Sequence, residues 1–301
     1  MDMDLQDKTF VLTGATSGIG LAAARQLAER GAFLIGVGRS AERCARVESD
    51  LRSAFPGAQV EYCLADLSMQ AHVRRLATHI QAKLAQHNIP SLDGLINNAG
   101  TFTYWMTLTP EGFEQQWAVN HLAPFLLTYE LLPLLQAAPA GRVVTVSSGS
   151  HYHTRLKWSD IQLRRGYKCL LAYKQTKLAN VLFTAEFNRR LGDRSGLRAF
   201  AADPGLVFTE MGFKGNPGLV RWIWGQRRRG GVSPEQSARG VVYLATESSI
   251  QDSPEIYWKD SHPKAPDRYA LDEAAAQRLW NLSEQMCGIE PGSYFNKRIS
   301  P

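Results

Sequence analysis

The sequence predicts an α/β fold, one doubly wound parallel sheet with helices on both faces. Three observations predict it. Short apolar runs alternate with longer amphipathic segments through most of the chain, the rhythm of repeated strand-helix-strand units. The runs are continuous and rich in β-branched residues, as strands buried on both faces require. A glycine-rich turn joins the first run to the first amphipathic segment, where such sheets hold a phosphate against a helix N-terminus.

In chain order, apolar runs place strands over 10–13, 33–37, 60–64, 94–96, 143–146 and 199–202. Helical periodicity places helices over 21–29, 42–54, 69–86, 114–136 and 173–191. Past Gly205 the rhythm changes. Residues 208–231 are rich in Gly, Trp and Arg, a helix resumes over 234–245, and a last amphipathic helix over 272–286 is closed by Gly288. No repeat, linker or composition break marks a second domain. Residues 1–301 therefore read as one domain, with a substrate loop at about 149–172 and a C-terminal substrate lid at about 206–232.

Composition narrows the function classes. A chain that is 44% hydrophobic and 21% charged can bury a core and is not disordered. Its 34 basic against 28 acidic residues give a net charge of +6 and a pI near 9.2, a nucleic-acid binder's number. No nucleic-acid motif accompanies it, and five of the basic residues lie without an acid between Lys214 and Arg229. The excess is local, so no nucleic-acid partner is expected. Asp2, Asp4 and Asp7 stand where a signal peptide would be basic. The most lipid-like window, 118–135, is broken by His121, Pro124, Glu130 and Pro133, so no membrane-spanning segment is expected. Four scattered cysteines without CxxC spacing fit reduced thiols in a cytoplasmic protein. His151 and His153 lack a Cys or carboxylate at ligand spacing, and no metal is expected.

The first turn reads Thr13-Gly14-Ala15-Thr16-Ser17-Gly18-Ile19-Gly20. Glycines there let the backbone turn tightly and approach a pyrophosphate. The second strand runs into Gly38-Arg39-Ser40 with no acid at its end. A guanidinium pairs with a 2′-phosphate that a carboxylate would repel, so NADP(H) is expected over NAD(H). A solvated Arg at a strand end is the alternative. The third strand ends in Ala65-Asp66-Leu67, near an adenine or merely capping the next helix, and the fourth in Asn97-Asn98-Ala99-Gly100. Ser147-Ser148 closes the fifth strand. Tyr173 and Lys177 are four apart on one helical face, and a nearby ammonium is expected to lower the phenol's pKa towards neutrality. Ser148 can then hold and polarise a substrate oxygen.

TGATSGIG, NNAG, the Asn of Val119-Asn120-His121, VVTVSS, YKQTK and Pro204-Gly205 with Thr209 occur together and in order. Jointly they resemble the short-chain dehydrogenase/reductase family, whose fold is Rossmann-type, from about Lys8 to Thr209. The resemblance implies Tyr173 as acid/base, Lys177 on the nicotinamide ribose and tuning Tyr173, Ser148 orienting substrate, and Asn120 holding a water for proton relay. Of the serine pair it favours Ser148 over Ser147. It places cofactor contacts at Gly14, Thr16, Ser17, Gly18, Ile19, Gly20, Asp66, Leu67, Asn97, Ala99 and Gly100. The Pro204, Gly205, Val207 and Thr209 loop would meet the nicotinamide amide.

Within that family VNHLAPFLLT, AYKQTKLANVLFTAE, SPEQSARGVVYLAT and DEAAAQRLWNLSEQMCG resemble the retinol dehydrogenase branch. Two departures stand out: the N-terminal anchor of animal members is not seen, and Asp203 replaces the branch's usual His. The lid holds Phe208, Met211, Phe213, Leu219, Val220, Trp222, Ile223 and Trp224, enough to cover a hydrophobic ligand or simply to pack on the core. Its basic residues leave peripheral membrane contact open. Helices 114–136 and 173–191 are apolar enough for a homodimer or for a wholly intrachain core. The expected activity is NADP-dependent hydride transfer on a bulky apolar alcohol or carbonyl, retinol-like by resemblance. The alternatives are the same chemistry on a steroid, polyketide or other bulky ketone, and a non-catalytic NADP-binding scaffold or sensor.

Overall fold

The computed structural model describes residues 5–192, 196–206 and 231–296. Its strands are β1 (Thr9–Thr13), β2 (Phe33–Gly38), β3 (Gln59–Leu64), β4 (Gly94–Asn97), β5 (Arg142–Val146), β6 (Arg198–Asp203), β7 (Tyr257–Lys259) and β8 (His262–Pro263). They form one sheet in the order β3-β2-β1-β4-β5-β6-β7-β8, parallel throughout except for β8 against β7. The helices are α1 (Gly18–Glu29), α2 (Ala41–Ala54), α3 (Gln70–Gln86), α4 (Gln115–Trp117), α5 (Ala123–Ala137), α6 (Cys169–Leu191), α7 (Pro234–Thr246) and α8 (Glu273–Met286).

Successive strand residues point to opposite faces, and both faces are buried. Ile35 and Val37 of β2 enter the core beneath α3, α5, α6 and α8, while Leu34 enters the core beneath α1, α2 and α7. In β6, Ala199 and Ala201 take the first side and Phe200 and Ala202 the second. This is why the strands read as continuous apolar runs rather than alternating ones. The chain winds outward from β1 to β3, then returns to start β4 on the other side of β1. That reversal opens a crevice at the carboxyl ends of β1 and β4, where ligands bind in sheets of this kind.

The expected elements are present, with α6 starting four residues earlier than periodicity placed it. Strands β7 and β8 were not expected. They extend the sheet beyond β6 and are short enough to leave no periodic signal. The helix expected over 114–136 is divided: between α4 and α5, Ala118–Leu122 forms a single π-helical turn that carries Asn120. The whole stretch Gln115–Ala137 is long and apolar enough to cross a membrane by composition, but 83% of its most apolar window is buried inside the protein.

The C-terminal helix and the segment that follows it pack on α6 and α5. Trp280 of α8 stacks on Phe183 of α6 at 5.9 Å, and the Tyr294 hydroxyl donates to the Phe125 carbonyl of α5 at 2.8 Å. Part of the apolar surface of α5 and α6 is thus covered within the chain. The expected lid falls almost wholly on residues 207–230, which lie outside the described residues, as do Val207 and Thr209.

Candidate active site

The crevice is built from turns at the carboxyl ends of β1, β4, β5 and β6. After β1 the backbone takes φ +69° at Gly14 and +54° at Gly18, conformations that favour glycine. A Cβ on Gly20 would lie 2.1 Å from the Gly14 carbonyl oxygen, so this turn closes only with glycine there. Asn98 clamps it: its Nδ2 donates to the Thr13 carbonyl at 2.8 Å, and Thr13 Oγ1 accepts the backbone N–H groups of Asn98 and Ala99, each at 3.0 Å. Asn98 and Thr13 were not among the expected site residues.

The first N–H groups of α1 have no side-chain cap, because Ser17 makes no such bond, whereas Ser40, Ser233 and Asp272 cap α2, α7 and α8. Ile19 packs against the core beneath α1. Uncapped N–H groups beside a glycine cradle fit the pyrophosphate of a dinucleotide. Gly38 ends β2 against Thr16, where a Cβ would meet the threonine methyl at 2.7 Å. Arg39 follows it, exposed, next to the capped N-terminus of α2. Asp66 Oδ1 accepts the Ser68 N–H at 3.0 Å in a local turn; it does not cap α3, whose N-cap is Met69 and has no side-chain cap. Asn97, Ala99 and Leu67 line one small hollow with Thr13, into which the residues of the π turn and α5 also reach. The Asn97 amide donates to Thr128 Oγ1, and its buried Oδ1 has no protein partner.

At the end of the fifth strand the two serines are placed differently. Ser147 is buried and its hydroxyl donates to the Lys177 carbonyl at 2.7 Å. Ser148 is only partly buried, and its hydroxyl meets both the Ser150 N–H and the Tyr173 hydroxyl. Lys177, one turn along α6 from Tyr173, places its Nζ 5.5 Å from the Tyr173 ring centre and 2.9 Å from the Val146 carbonyl it bonds. Asn120 sits deeper. Its Oδ1 accepts the Thr101 N–H at 2.7 Å, and its Nδ2 donates to the Thr101 carbonyl and to Thr176 Oγ1. The π turn brings this amide to the loop after Gly100 and to the turn of α6 between Tyr173 and Lys177; such turns recur at functional sites.

The expected lowering of the Tyr173 pKa is not what the protein's own groups produce. Burial pushes Tyr173 up to about 12; the Ser148 bond opposes this, and the Asp203 charge adds to it. Burial also pulls Lys177 down to about 8. Burial dominates at both groups, and the ammonium is tied to the Val146 carbonyl rather than to the phenol. On the far side, the Pro204 carbonyl accepts the Ser237 hydroxyl at 2.6 Å, and Gly205 takes φ +73°. His151 uses both ring nitrogens inside the protein, one on the Ser148 carbonyl at 2.8 Å and one on the Asp267 N–H at 3.0 Å.

A switch-point crevice, a glycine cradle and a Ser, Tyr and Lys cluster define a dinucleotide-dependent oxidoreductase of the α/β class. The sequence matches the short chain dehydrogenase family over residues 8–218, and the chain belongs to that family, in its retinol dehydrogenase-like branch. It is 37% identical over 298 residues to human dehydrogenase/reductase SDR family member 13, covering 96% of this chain and 75% of that one. It is 36% identical over 293 residues to human retinol dehydrogenase 13, covering 95% and 86%. Among solved structures it is similar to the angucycline C-6 ketoreductase LanV with bound NADP, at a TM-score of 0.69 and 26% identity, covering 86% and 95%.

Proposed function

We propose that this protein is an NADP(H)-dependent oxidoreductase that moves a hydride between the nicotinamide and the carbon of a bulky apolar alcohol or carbonyl of retinoid type. The observation that carries the reading is the meeting of Ser148, Tyr173 and Lys177 at one end of the crevice. The bound cofactor supplies the hydride for reduction. Ser148 holds and polarises the carbonyl oxygen, and Tyr173, neutral at pH 7, donates the proton to it. Lys177 orients the cofactor ribose, and Asn120 holds the water through which the proton passes outward. Gly14, Gly18 and Gly20 admit the pyrophosphate, and Arg39 pairs with the 2′-phosphate.

The substrate side is apolar. Phe102 meets the Tyr173 ring edge-on at 5.8 Å, and Leu170 precedes Tyr173 by three residues on the same face of α6. Leu170, 46% exposed, leaves an apolar surface open beside Tyr173. The likeness to an angucycline ketoreductase favours a second reading, the same chemistry on a polycyclic or steroid ketone. A non-catalytic scaffold would not need the four groups Asn120, Ser148, Tyr173 and Lys177 together. Turnover of NADPH with a panel of retinoid, steroid and polyketide carbonyls tests the proposal. Tyr173→Phe is expected to abolish turnover with NADPH binding intact, and retained turnover in that variant would sink the mechanism.

A further inference from the structure

One buried carboxylate joins the two turns that flank the reacting centre. Asp203 ends β6 with its side chain 4% exposed. Its Oδ1 accepts the N–H of Gly149 and the N–H of Gly205, each at 3.1 Å. Its Oδ2 accepts the Tyr257 hydroxyl at 2.7 Å and the Lys264 ammonium at 3.3 Å. Gly149 follows Ser148 directly, and Gly205 belongs to the turn after β6. Tyr257 lies on β7 and Lys264 just after β8. Four donors from four segments fill the four lone-pair sites a carboxylate offers.

The same C-terminal segment grips the Ser148 turn from a second direction. His151 donates from Nδ1 to the Ser148 carbonyl and accepts the Asp267 N–H at Nε2, which selects one neutral tautomer. Its ring packs against that of Tyr257 at 4.8 Å. The Ser148 turn therefore has little freedom of its own. The β5–β6 ladder ties the two strands together as far as the Ser147 N–H to Ala202 carbonyl bond at 2.7 Å; beyond it, among the described residues, Asp203 is the side chain that bonds both turns.

We propose that Asp203 is a positioning residue for the oxidoreductase reaction, its carboxylate holding the Ser148 turn and the Pro204–Gly205 turn in one register. This rests on the functional reading above. The purpose is mechanical: the hydroxyl that orients substrate and the loop beside the cofactor's reactive end must agree to a fraction of an ångström. An amide can replace only part of the carboxylate. In Asp203→Asn the single oxygen can still serve both glycine N–H groups, but the NH2 then faces the Lys264 ammonium, donor against donor.

The test compares Asp203→Ala, Asp203→Asn and Asp203→Asn with Lys264→Met. In Asp203→Ala we expect kcat to fall at least 30-fold and KM for NADPH to rise several-fold. Asp203→Asn should lose about 5- to 10-fold in kcat, and Lys264→Met in that background should restore most of it by removing the opposed ammonium. Without cofactor, amide hydrogen exchange at Gly149 and Gly205 should speed up at least 10-fold in Asp203→Ala and less in Asp203→Asn. A purely structural role would lower Tm without the kcat recovery in the double variant. The proposal is overturned if Asp203→Ala keeps kcat and KM within two-fold of wild type. Where Asp203→Ala does not fold, the same result in Asp203→Asn overturns it. The exchange experiment separates the two readings. If wild type reduces no carbonyl but exchange still rises in the variants, the functional reading fails and the coupling of the turns stands. If wild type is active and neither kcat nor exchange responds, the Asp203 proposal fails alone.

Discussion

Removing either serine of the pair at the end of β5 deletes one hydroxyl from adjacent positions, yet the two deletions are expected to differ by two orders of magnitude in rate. Ser147 Oγ donates to the Lys177 carbonyl in a buried site. Ser147→Ala therefore loses one interior hydrogen bond, at about 1 kcal/mol, while the carbonyl retains its place in the α6 ladder. For a domain of this size that is about 2 °C in Tm. Ser148 accepts the Ser150 N–H and meets the Tyr173 hydroxyl. Ser148→Ala loses a cap of similar worth, about 1 kcal/mol. It also removes a group aimed at the developing oxyanion, which costs roughly 3–4 kcal/mol, a 10²- to 10³-fold loss in kcat. Steady-state reduction of the best carbonyl at saturating NADPH, with Tm measured on the same preparations, reads both effects. Similar Tm values with at least a 100-fold gap in kcat are the expected result. A Ser147→Ala variant as slow as Ser148→Ala, or a Ser148→Ala variant within five-fold of wild type, would refute the assignment.

Arg39→Asp should shift preference from NADPH to NADH, since a carboxylate repels the 2′-phosphate and accepts from a ribose hydroxyl; comparable KM values for both cofactors in wild type would remove the idea. Gly20→Ala should abolish cofactor binding, because its Cβ would strike the Gly14 carbonyl, whereas Gly57→Ala, with nothing within 4 Å, should bind normally in the same calorimetric titration. With Tyr173 at about 12 and Lys177 at about 8, carbonyl reduction should hold its kcat from pH 6 to 8 while alcohol oxidation climbs with pH, and KM for NADPH should worsen above about pH 8 as Lys177 loses its charge. A reduction rate that falls with an apparent pKa near 7 would contradict this. His121 is buried against Ser283 and burial pulls it down to about 4 from an unfolded value of 6.5. The unfolded chain therefore takes the proton first as pH falls, and stability should drop by up to about 3 kcal/mol between pH 6.5 and 4, a loss absent from the urea midpoints of His121→Gln.

The sheet was legible because its inner strands are buried on both faces: β1, β2, β4, β5 and β6 read as apolar runs, the edge strand β3 keeps Gln59 and Leu64 exposed, and α1 to α3 are amphipathic. The failures have a common cause. Tyr257–Lys259 and His262–Pro263 are too short to carry a period, and their place beside β6 is decided by tertiary contacts of Tyr257 and Lys264 with a residue more than fifty positions away. The glycine turn after β1 was visible as glycines, but Asn98, which clamps it, looked like any amide at a strand end. The serine pair could not be separated by composition either. Only the pleat decides it, sending Ser147 inward to α6 and Ser148 into the crevice.

Proton chemistry shows the same limit most sharply. Spacing alone put a tyrosine and a lysine on one helical face, and a lowered phenol pKa follows from that pair where the ammonium's attraction exceeds the cost of burying both groups. In the folded protein it does not: Lys177 is buried and bonded to the Val146 carbonyl, and the charge acting on Tyr173 is the negative one of Asp203. The protein alone therefore keeps Tyr173 in the protonated form that a carbonyl reduction consumes. An oxidised nicotinamide, cationic in its ring, would add the positive charge that the apoprotein withholds and so favour the phenolate when alcohol is to be oxidised. On this reasoning the redox state of a bound cofactor would bias the acid/base state of Tyr173, and a site built by burial rather than by an exposed ion pair would serve both directions.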